Sequence, residues 1–277
     1  QGLAKLLGDQ VQVVALPRKQ VLDAIDDDTA LVLLTHVHFK TGAMWDMPAV
    51  TQQVQQHGAL MMWDLCHSVG AMPIHLDTAN ADLAVGCTYK YLNGGPGSPA
   101  FVYVAKRLQS EFEQPLTGWL GHAKPFDFND EYQGANGIQQ AMCGTPPVLA
   151  NASLEVALDV MLKADLTQVR HKSSHMGDLF IQLVQQRCPW FEIGSPVDNA
   201  IRGSQVSLVH DQGYAIIQAL IERNIIGDFR APDHLRFGFT PLYLRYVDLW
   251  DTVDALVDIM THDLWNQPQF LAKQAVT

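Results

Sequence analysis

The sequence predicts an α/β protein: a mostly parallel sheet sandwiched by helices, followed by a smaller α+β domain. In the first half of the chain, short continuous apolar runs alternate with helical patterns, which is typical of strands covered on both faces. The second half instead has long helical patterns and then short strands. With 277 residues, of which 48% are hydrophobic, the chain is long enough to form two cores.

Five apolar segments predict the strands of the first half, and two helical patterns lie between them. The strands are predicted at 11–16, 30–35, 60–64, 83–87 and 100–104. The helices are predicted at 19–25 and 46–58. Since only a short Gly/Pro turn precedes the last strand, we expect that strand to run antiparallel. The first eight residues are typical of the tail of a helix that ends at a capping glycine.

The second half predicts two consecutive helices before the smaller sheet. The first spans 147–166 with a cap at Asn151 or Ser153, and the second spans 166–187 and ends at Cys188-Pro189. Strands then follow at 191–193, 205–209 and 235–239, with helices at 213–223 and 246–265. We therefore divide the chain into a large domain, 1–165, and a small domain, 166–277.

Composition excludes several classes of function. The formal net charge of −11 argues against binding to nucleic acid or to an anionic membrane surface, and no apolar run reaches the length of a membrane span. The four cysteines lack CxxC spacing, so we expect free thiols in a reducing cytoplasm. A cytoplasmic enzyme that acts on a small molecule fits this composition best.

Lys90 and Asp64 are the most informative residues. A lysine can bind an aldehyde covalently, and a carboxylate that faces a pyridine nitrogen keeps it protonated, so the pair suggests a pyridoxal phosphate enzyme. Thr35 and Asp64 are the last residues of predicted strands, and Lys90 comes shortly after another. In open α/β sheets, ligands bind at these carboxyl ends of the strands. By itself, Asp64 would be interpreted as a helix or turn cap.

Three further residues have two interpretations each. His67 could stack on the pyridine ring or bond the carboxylate, or it could be a histidine of a surface loop. Tyr89 could donate a proton or pack within a strand. Arg236 lies in an apolar strand and needs a carboxylate partner, either from a neighbouring residue or from a substrate.

Two other motifs give weaker signals. The glycine-rich tract 93–98 lacks the spacing of a phosphate-binding loop, so a tight turn is the favoured interpretation. His36 and His38 alternate at the end of a strand, but no carboxylate or cysteine at ligand spacing accompanies them. We therefore do not expect a metal site.

Five sequence blocks resemble the kynureninases, a family of pyridoxal phosphate enzymes with the aspartate aminotransferase fold (fold type I). The similarity runs from about residue 31 to the end and is densest at 34–42, 63–70, 87–97, 118–122 and 236–243. It implies hydrolytic Cβ–Cγ cleavage of L-kynurenine to anthranilate and L-alanine, a step of tryptophan catabolism and NAD biosynthesis. The 3-hydroxy form remains open as a second substrate.

The resemblance also implies roles for individual residues. Lys90 would carry the cofactor, Asp64 would face its pyridine nitrogen, and Tyr89 would line the cofactor. We also expect Tyr89 to be the acid of the reaction. Arg236 matches the family's carboxylate-binding arginine. The remaining contacts to pyridoxal phosphate would come from Thr35, His67, Trp119 and Thr145. Of these, Trp119 and Thr145 would serve the phosphate across a homodimer interface.

Alternatives remain on the same fold. A cysteine desulfurase or a class V aminotransferase usually has histidine before the lysine, so Tyr89 favours a kynureninase. A non-catalytic truncated homologue is the third hypothesis. Because the chain starts within a helical pattern, we expect it to lack the family's N-terminal portion, which brings a phosphate-binding loop and a ring-stacking aromatic residue.

Overall fold

Four strands form the first sheet of the chain, which the computed structural model describes from residue 2 to residue 273. They are β1 (Leu31–Thr35), β2 (Leu60–Asp64), β3 (Leu83–Cys87) and β4 (Ala100–Val104), hydrogen-bonded in that order. Strands β1 to β3 are parallel, and β4 is antiparallel to β3. Four of the five predicted strands and the direction of the last one are therefore confirmed.

The predicted strand at 11–16 is wrong. Residues 11–17 form no strand, and Val13 and Val14 are largely exposed. The apolar run has the composition of a strand, but among residues 2–273 no strand pairs with it to complete its hydrogen bonds. The sequence pattern of one segment does not show whether a second strand lies beside it.

Three helices accompany the first sheet: α1 (Gly2–Leu7), α2 (Arg18–Val21) and α3 (Met47–Gln56). Helix α3 begins where Asp46 accepts a hydrogen bond from the backbone N–H of Ala49 at 3.1 Å. Its buried side chains pack against Met61 and Trp63 of β2, which are fully buried, and form the first core. On β1, by contrast, Leu31 and Leu33 are exposed.

The two predicted central helices are present as α4 (Val148–Met161) and α5 (Leu166–Arg187). The cap that we predicted at Asn151 or Ser153 is wrong, since α4 starts directly after Pro147, whose ring fixes a backbone angle suited to that position. Helix α5 is capped by Asp165, which accepts the N–H of Thr167 at 2.8 Å. It ends before Cys188, as predicted.

The second sheet is antiparallel and contains one strand that the sequence did not reveal. Its order is β5-β6-β8-β7, where the strands are β5 (Glu192–Ile193), β6 (Gln205–Val209), β7 (Asp228–Arg230) and β8 (His234–Gly238). Strand β7 has only three residues, too few for a periodic pattern. Helices α6 (Gly213–Glu222), α7 (Tyr246–Thr261) and α8 (Pro268–Leu271) complete this half.

A second core lies between this sheet and its helices. Its fully buried members come from α5, β6, α6, β8 and α7, and include Phe180, Leu208, Ile216, Leu235 and Val253. The domain boundary at residue 165 stays a prediction. Among residues 2–273, none of the helices combines the length and the apolar character that crossing a membrane requires.

The loop between β1 and α3 joins the two sheets. The side-chain amide of Gln205, at the start of β6, donates to the carbonyls of His38 and Phe39 at 3.1 and 3.0 Å. Gly42 has a φ of +70°, and a Cβ there would lie 2.8 Å from the Gln205 carbonyl oxygen, so only glycine allows this approach. The loop thereby holds the second sheet beside the carboxyl ends of β1 to β3.

Candidate active site

Thr35 and Asp64 end two adjacent parallel strands and face each other in the strand register. Both are half-buried. Oδ1 of Asp64 accepts the backbone N–H of Cys66 at 2.8 Å. Burial, followed by the interaction with Asp64, raises the pKa of the Cys66 thiol to about 12, so this thiol stays protonated beside the carboxylate. The prediction that Thr35 and Asp64 lie side by side at the carboxyl ends of their strands is confirmed.

Lys90 lies in a tight turn just after β3. The backbone N–H of Asn93 donates to the Lys90 carbonyl at 2.9 Å, and that of Gly94 donates to the Thr88 carbonyl at 3.0 Å. This agrees with the interpretation of the glycine-rich tract as a turn. The turn is anchored by the half-buried Tyr91, whose hydroxyl donates to the Ser204 carbonyl at 3.1 Å.

Tyr89 is the exposed neighbour of Lys90. Its side chain is 46% exposed, and its ring centroid lies 5.2 Å from Lys90 Nζ. Strand packing therefore does not account for this tyrosine, because a packed ring would be buried. Its phenol is open to a ligand that approaches the lysine.

His67 lies where the charged groups of the site meet. Burial is the largest of the causes that lower the pKa of its imidazole to about 4; the positive charges of Lys90 and Arg236 also lower it, whereas Asp64 opposes the shift. His67 is therefore neutral at pH 7. The charges of Lys90, Asp64 and Arg236 all shift the pKa of this one ring. Since Arg236 belongs to the second half of the chain, the two halves meet at His67.

Arg236, on β8, has the carboxylate partner that its apolar surroundings require. Its Nε donates to Oδ1 of Asp228 at 2.8 Å, and its Nη2 donates to Oδ2 of the same residue. Its Nη1 donates to the Phe39 carbonyl at 2.5 Å and lies 3.5 Å from His67 Nε2. Asp228 is the functional residue that the sequence analysis missed, because it belongs to the short strand β7.

Trp119 and Thr145 lie apart from this group. Both are exposed, and their segments adjoin where Gly118 packs on Cys143, since a Cβ at Gly118 would lie 1.8 Å from the Cys143 carbonyl oxygen. Trp119 also packs edge-on against Phe126, with ring centroids 5.8 Å apart. Within residues 2–273, no hydrogen bond, ion pair or ring contact joins Trp119 or Thr145 to Lys90, Asp64 or His67.

Other polar features lie outside the group around His67. A cavity of about 700 Å³ lies in the 109–140 region, and one of about 480 Å³ lies beside β4; neither is lined by Lys90. His36 is buried with its ring edge-on to Trp63. In the part of the chain that the structure describes, no three metal-binding side chains are grouped to hold an ion.

The residues around His67 fit pyridoxal phosphate. Asp64 ends β2 and Lys90 follows the neighbouring strand β3, and the charges of both shift the pKa of the His67 imidazole. A carboxylate and a primary amine are therefore available on one rim of the sheet. A carboxylate suits a protonated pyridine nitrogen, and an amine suits an aldehyde.

Comparisons with known proteins point to one family. The family model of the kynureninase C-terminal domain matches residues 169–256. The kynureninase of Burkholderia mallei (strain SAVP1) is 52% identical over 257 residues, which are 92% of this chain and 62% of that protein. The kynureninase of Pseudomonas fluorescens is 48% identical over 281 residues, covering 100% of this chain and 67% of that protein. The chain thus spans about two thirds of the length of these relatives.

Solved structures agree on the fold. The apo cysteine desulfurase of Thermococcus onnurineus NA1 matches with a TM-score of 0.75 at 15% identity, covering 88% of this chain and 63% of that chain. The cystine C–S lyase C-DES, in complex with cysteine persulfide, matches with a TM-score of 0.73 at 20% identity, covering 86% of this chain and 63% of that chain. A variant of that lyase carries glycine covalently linked to a PLP cofactor. At these identities the likeness concerns the fold, and it confirms the predicted fold type I.

Proposed function

The chain belongs to the kynureninase family, and from this premise we propose that it carries the catalytic residues for hydrolysis of L-kynurenine to anthranilate and L-alanine. One observation carries the proposal: the charges of Lys90, Asp64 and Arg236 all shift the pKa of the His67 imidazole. An amino-acid substrate needs an amine-reactive aldehyde and a cationic partner for its carboxylate within one site. Lys90 and Asp64 would hold the cofactor that brings the aldehyde, and Arg236 would bind the carboxylate.

We propose pyridoxal phosphate as the cofactor, held by Lys90 and Asp64. When bound, it would accept electrons from the substrate carbons next to the amino group. Asp64 would hold a proton at the pyridine nitrogen. The neutral His67 would contact the ring without adding a positive charge beside that nitrogen, in line with its lowered pKa.

The other residues would bind the substrate and move its protons. Lys90, once free, would remove the proton from the substrate α-carbon. Tyr89 is exposed and its ring centroid lies 5.2 Å from Lys90 Nζ; its phenol would donate a proton to the carbon that becomes the methyl group of alanine. Arg236 would bind the α-carboxylate and orient the bond to be cleaved.

We further propose a homodimer in which Trp119 and Thr145 of one chain serve the phosphate in the site of the other. Their exposure supports this arrangement, because both side chains are open to a second copy of the chain. The relatives are longer than this chain, so the proposed activity is that of the whole protein. The substrate preference between L-kynurenine and its 3-hydroxy form stays open, and the cytoplasmic location stays a prediction.

The test measures anthranilate fluorescence after the protein is mixed with pyridoxal phosphate and L-kynurenine. We expect turnover in the wild type, none in Lys90→Ala, and unchanged turnover in the exposed control Lys106→Ala. After borohydride reduction and washing, cofactor absorbance should remain with the wild type and be lost from Lys90→Ala. Retained absorbance in that variant would show that another lysine binds the aldehyde.

A parallel assay addresses the desulfurase alternative. Cys143 is exposed in a loop, a position in which a desulfurase could use it. We expect no sulfide from L-cysteine. Sulfide release that is lost in Cys143→Ser, without anthranilate from kynurenine, would replace the kynureninase proposal with a desulfurase.

A further inference from the structure

The guanidinium of Arg236 has five N–H groups, and short hydrogen bonds occupy three of them. Asp228 accepts from Nε at 2.8 Å and also from Nη2, so it occupies one side edge of the planar group. The Phe39 carbonyl accepts from Nη1 at 2.5 Å. Of the two N–H groups that remain, the one on Nη2 lies on the end edge and the one on Nη1 makes only a long hydrogen bond of 3.5 Å with His67 Nε2.

A second arginine on the same carboxylate keeps this cluster positive. Arg230 Nη2 lies 3.0 Å from Oδ2 of Asp228, so one carboxylate is shared between two guanidinium groups. An isolated pair of Arg236 and Asp228 would have no net charge and would attract an anion weakly. With Arg230 present, one positive charge remains beside the site.

From this geometry we propose that Asp228 is a positioning residue for substrate recognition. It holds Arg236 by its side edge and leaves the end edge, next to His67, for the α-carboxylate of an amino-acid substrate. Bidentate binding of a carboxylate requires a fixed guanidinium plane, and a free arginine side chain loses rotamer entropy when it is ordered. This inference rests on the proposed function, because the carboxylate belongs to that substrate.

The test is a double-mutant cycle on L-kynurenine cleavage. We expect Asp228→Asn to raise KM about tenfold, equivalent to about 1.4 kcal/mol, with a smaller change in kcat. In an Arg236→Gln background, the same substitution should raise KM less than about twofold, since its effect passes through Arg236. The matched control is Asp233→Asn, on the same hairpin, where the carboxylate pairs with His234 at 2.7 Å.

Two controls show whether a change in KM comes from misfolding: thermal unfolding of each variant, and the variant Asp228→Glu. The glutamate variant keeps the charge and should recover at least part of the affinity. A KM for Asp228→Asn equal to that of Asp233→Asn would overturn the inference. So would an equal loss in both Arg236 backgrounds, because a merely structural role does not depend on Arg236.

A measurement without turnover separates this inference from the proposed function. In protein labelled with ¹⁵N-arginine, the Nε–H signal of Arg236, assigned by its loss in Arg236→Gln, should be protected from exchange in the wild type and in Asp233→Asn. It should lose protection in Asp228→Asn, and unchanged protection would overturn the inference. A wild-type chain with this protected signal but no cleavage of kynurenine would contradict the proposed function alone.

Discussion

His36 and His67 are two imidazoles that burial keeps neutral. His36 is 6% exposed, and the pKa of each ring is lowered to about 4, with burial as the largest cause. An unfolded chain would protonate both rings near pH 6.5, whereas the folded chain resists protonation until about pH 4. Their contribution to folding therefore changes only on the acid side of neutrality.

This shift gives a pH prediction for His36. As pH falls from about 6.5 to 4, the imidazole of His36 takes up a proton in the unfolded state but stays neutral in the folded state, so the free energy of unfolding falls. Above pH 6.5 the ring is neutral in both states and its contribution is constant. The loss from His36 should reach about 2 kcal/mol at pH 5 and about 3 kcal/mol at pH 4. In urea unfolding at several pH values, His36→Leu should therefore lose less stability in this window than the wild type.

The control for this experiment is His171→Gln, an exposed position on α5. It should keep the wild-type dependence on pH. If His36→Leu lost stability with the same slope as the control, the buried imidazole would not be the source of the acid sensitivity.

At the scale of elements, the turn after β2 and the turn that carries Lys90 are packed backbone to backbone. Gly70 has a φ of +81°, and a Cβ there would lie 2.8 Å from the Tyr91 carbonyl carbon and oxygen. Gly58 has a similar φ of +76°, but a Cβ there would have no atom within 4 Å. Both glycines have a left-handed backbone conformation, but only Gly70 has the backbone of another segment, at Tyr91, in close contact.

We predict different outcomes for alanine at these two positions. Gly58→Ala should cost about 1–2 kcal/mol of stability, the penalty of a left-handed residue, and leave the site intact. Gly70→Ala should cost more and also displace the turn of Lys90, lowering covalent capture of pyridoxal phosphate. Urea unfolding and retained absorbance after borohydride reduction measure the two effects. Equal costs, with capture unchanged in both variants, would show that the contact with Tyr91 does not fix the turn.

The elements that the sequence predicted are those with a repeating apolar pattern. Strands β1 to β4 and helix α5 follow continuous or periodic apolar runs, and Thr35 and Asp64 were placed by the rule that ligands bind at strand ends. The wrong strand at 11–16 has the same pattern without a partner. Strand β7 is too short to have a pattern, and Asp228 was missed with it.

At the scale of the whole molecule, the site depends on contacts that no local pattern reveals. Arg236 and His67 are 169 residues apart in sequence and meet because Gln205 holds the loop after β1 against the second sheet. The sequence indicated that Arg236 needs a carboxylate, but it left the identity of that partner open. The structure supplies Asp228, and it leaves the end edge of the guanidinium toward His67.

An exposed apolar surface lies along helix α4. Leu149, Val156 and Val160 share one stripe at helical spacing and are 89%, 67% and 53% exposed. Contiguous exposed apolar side chains on a soluble domain indicate an interaction surface. Trp119 and Thr145 precede this helix in sequence, so the stripe is our candidate for the proposed homodimer interface.

We therefore predict that Leu149→Glu combined with Val156→Glu shifts the protein toward the monomer. Each carboxylate would have to lose its hydration at the interface, so association should weaken at least tenfold while the fold is kept. Sedimentation velocity over a concentration series measures this, and Glu155→Gln, a charge change at an exposed position of the same helix, is the control. Should the double variant associate as strongly as the control, the stripe on α4 lies outside the interface. Loss of kynurenine cleavage together with dimerisation would instead support a site that needs Trp119 and Thr145 from the second copy.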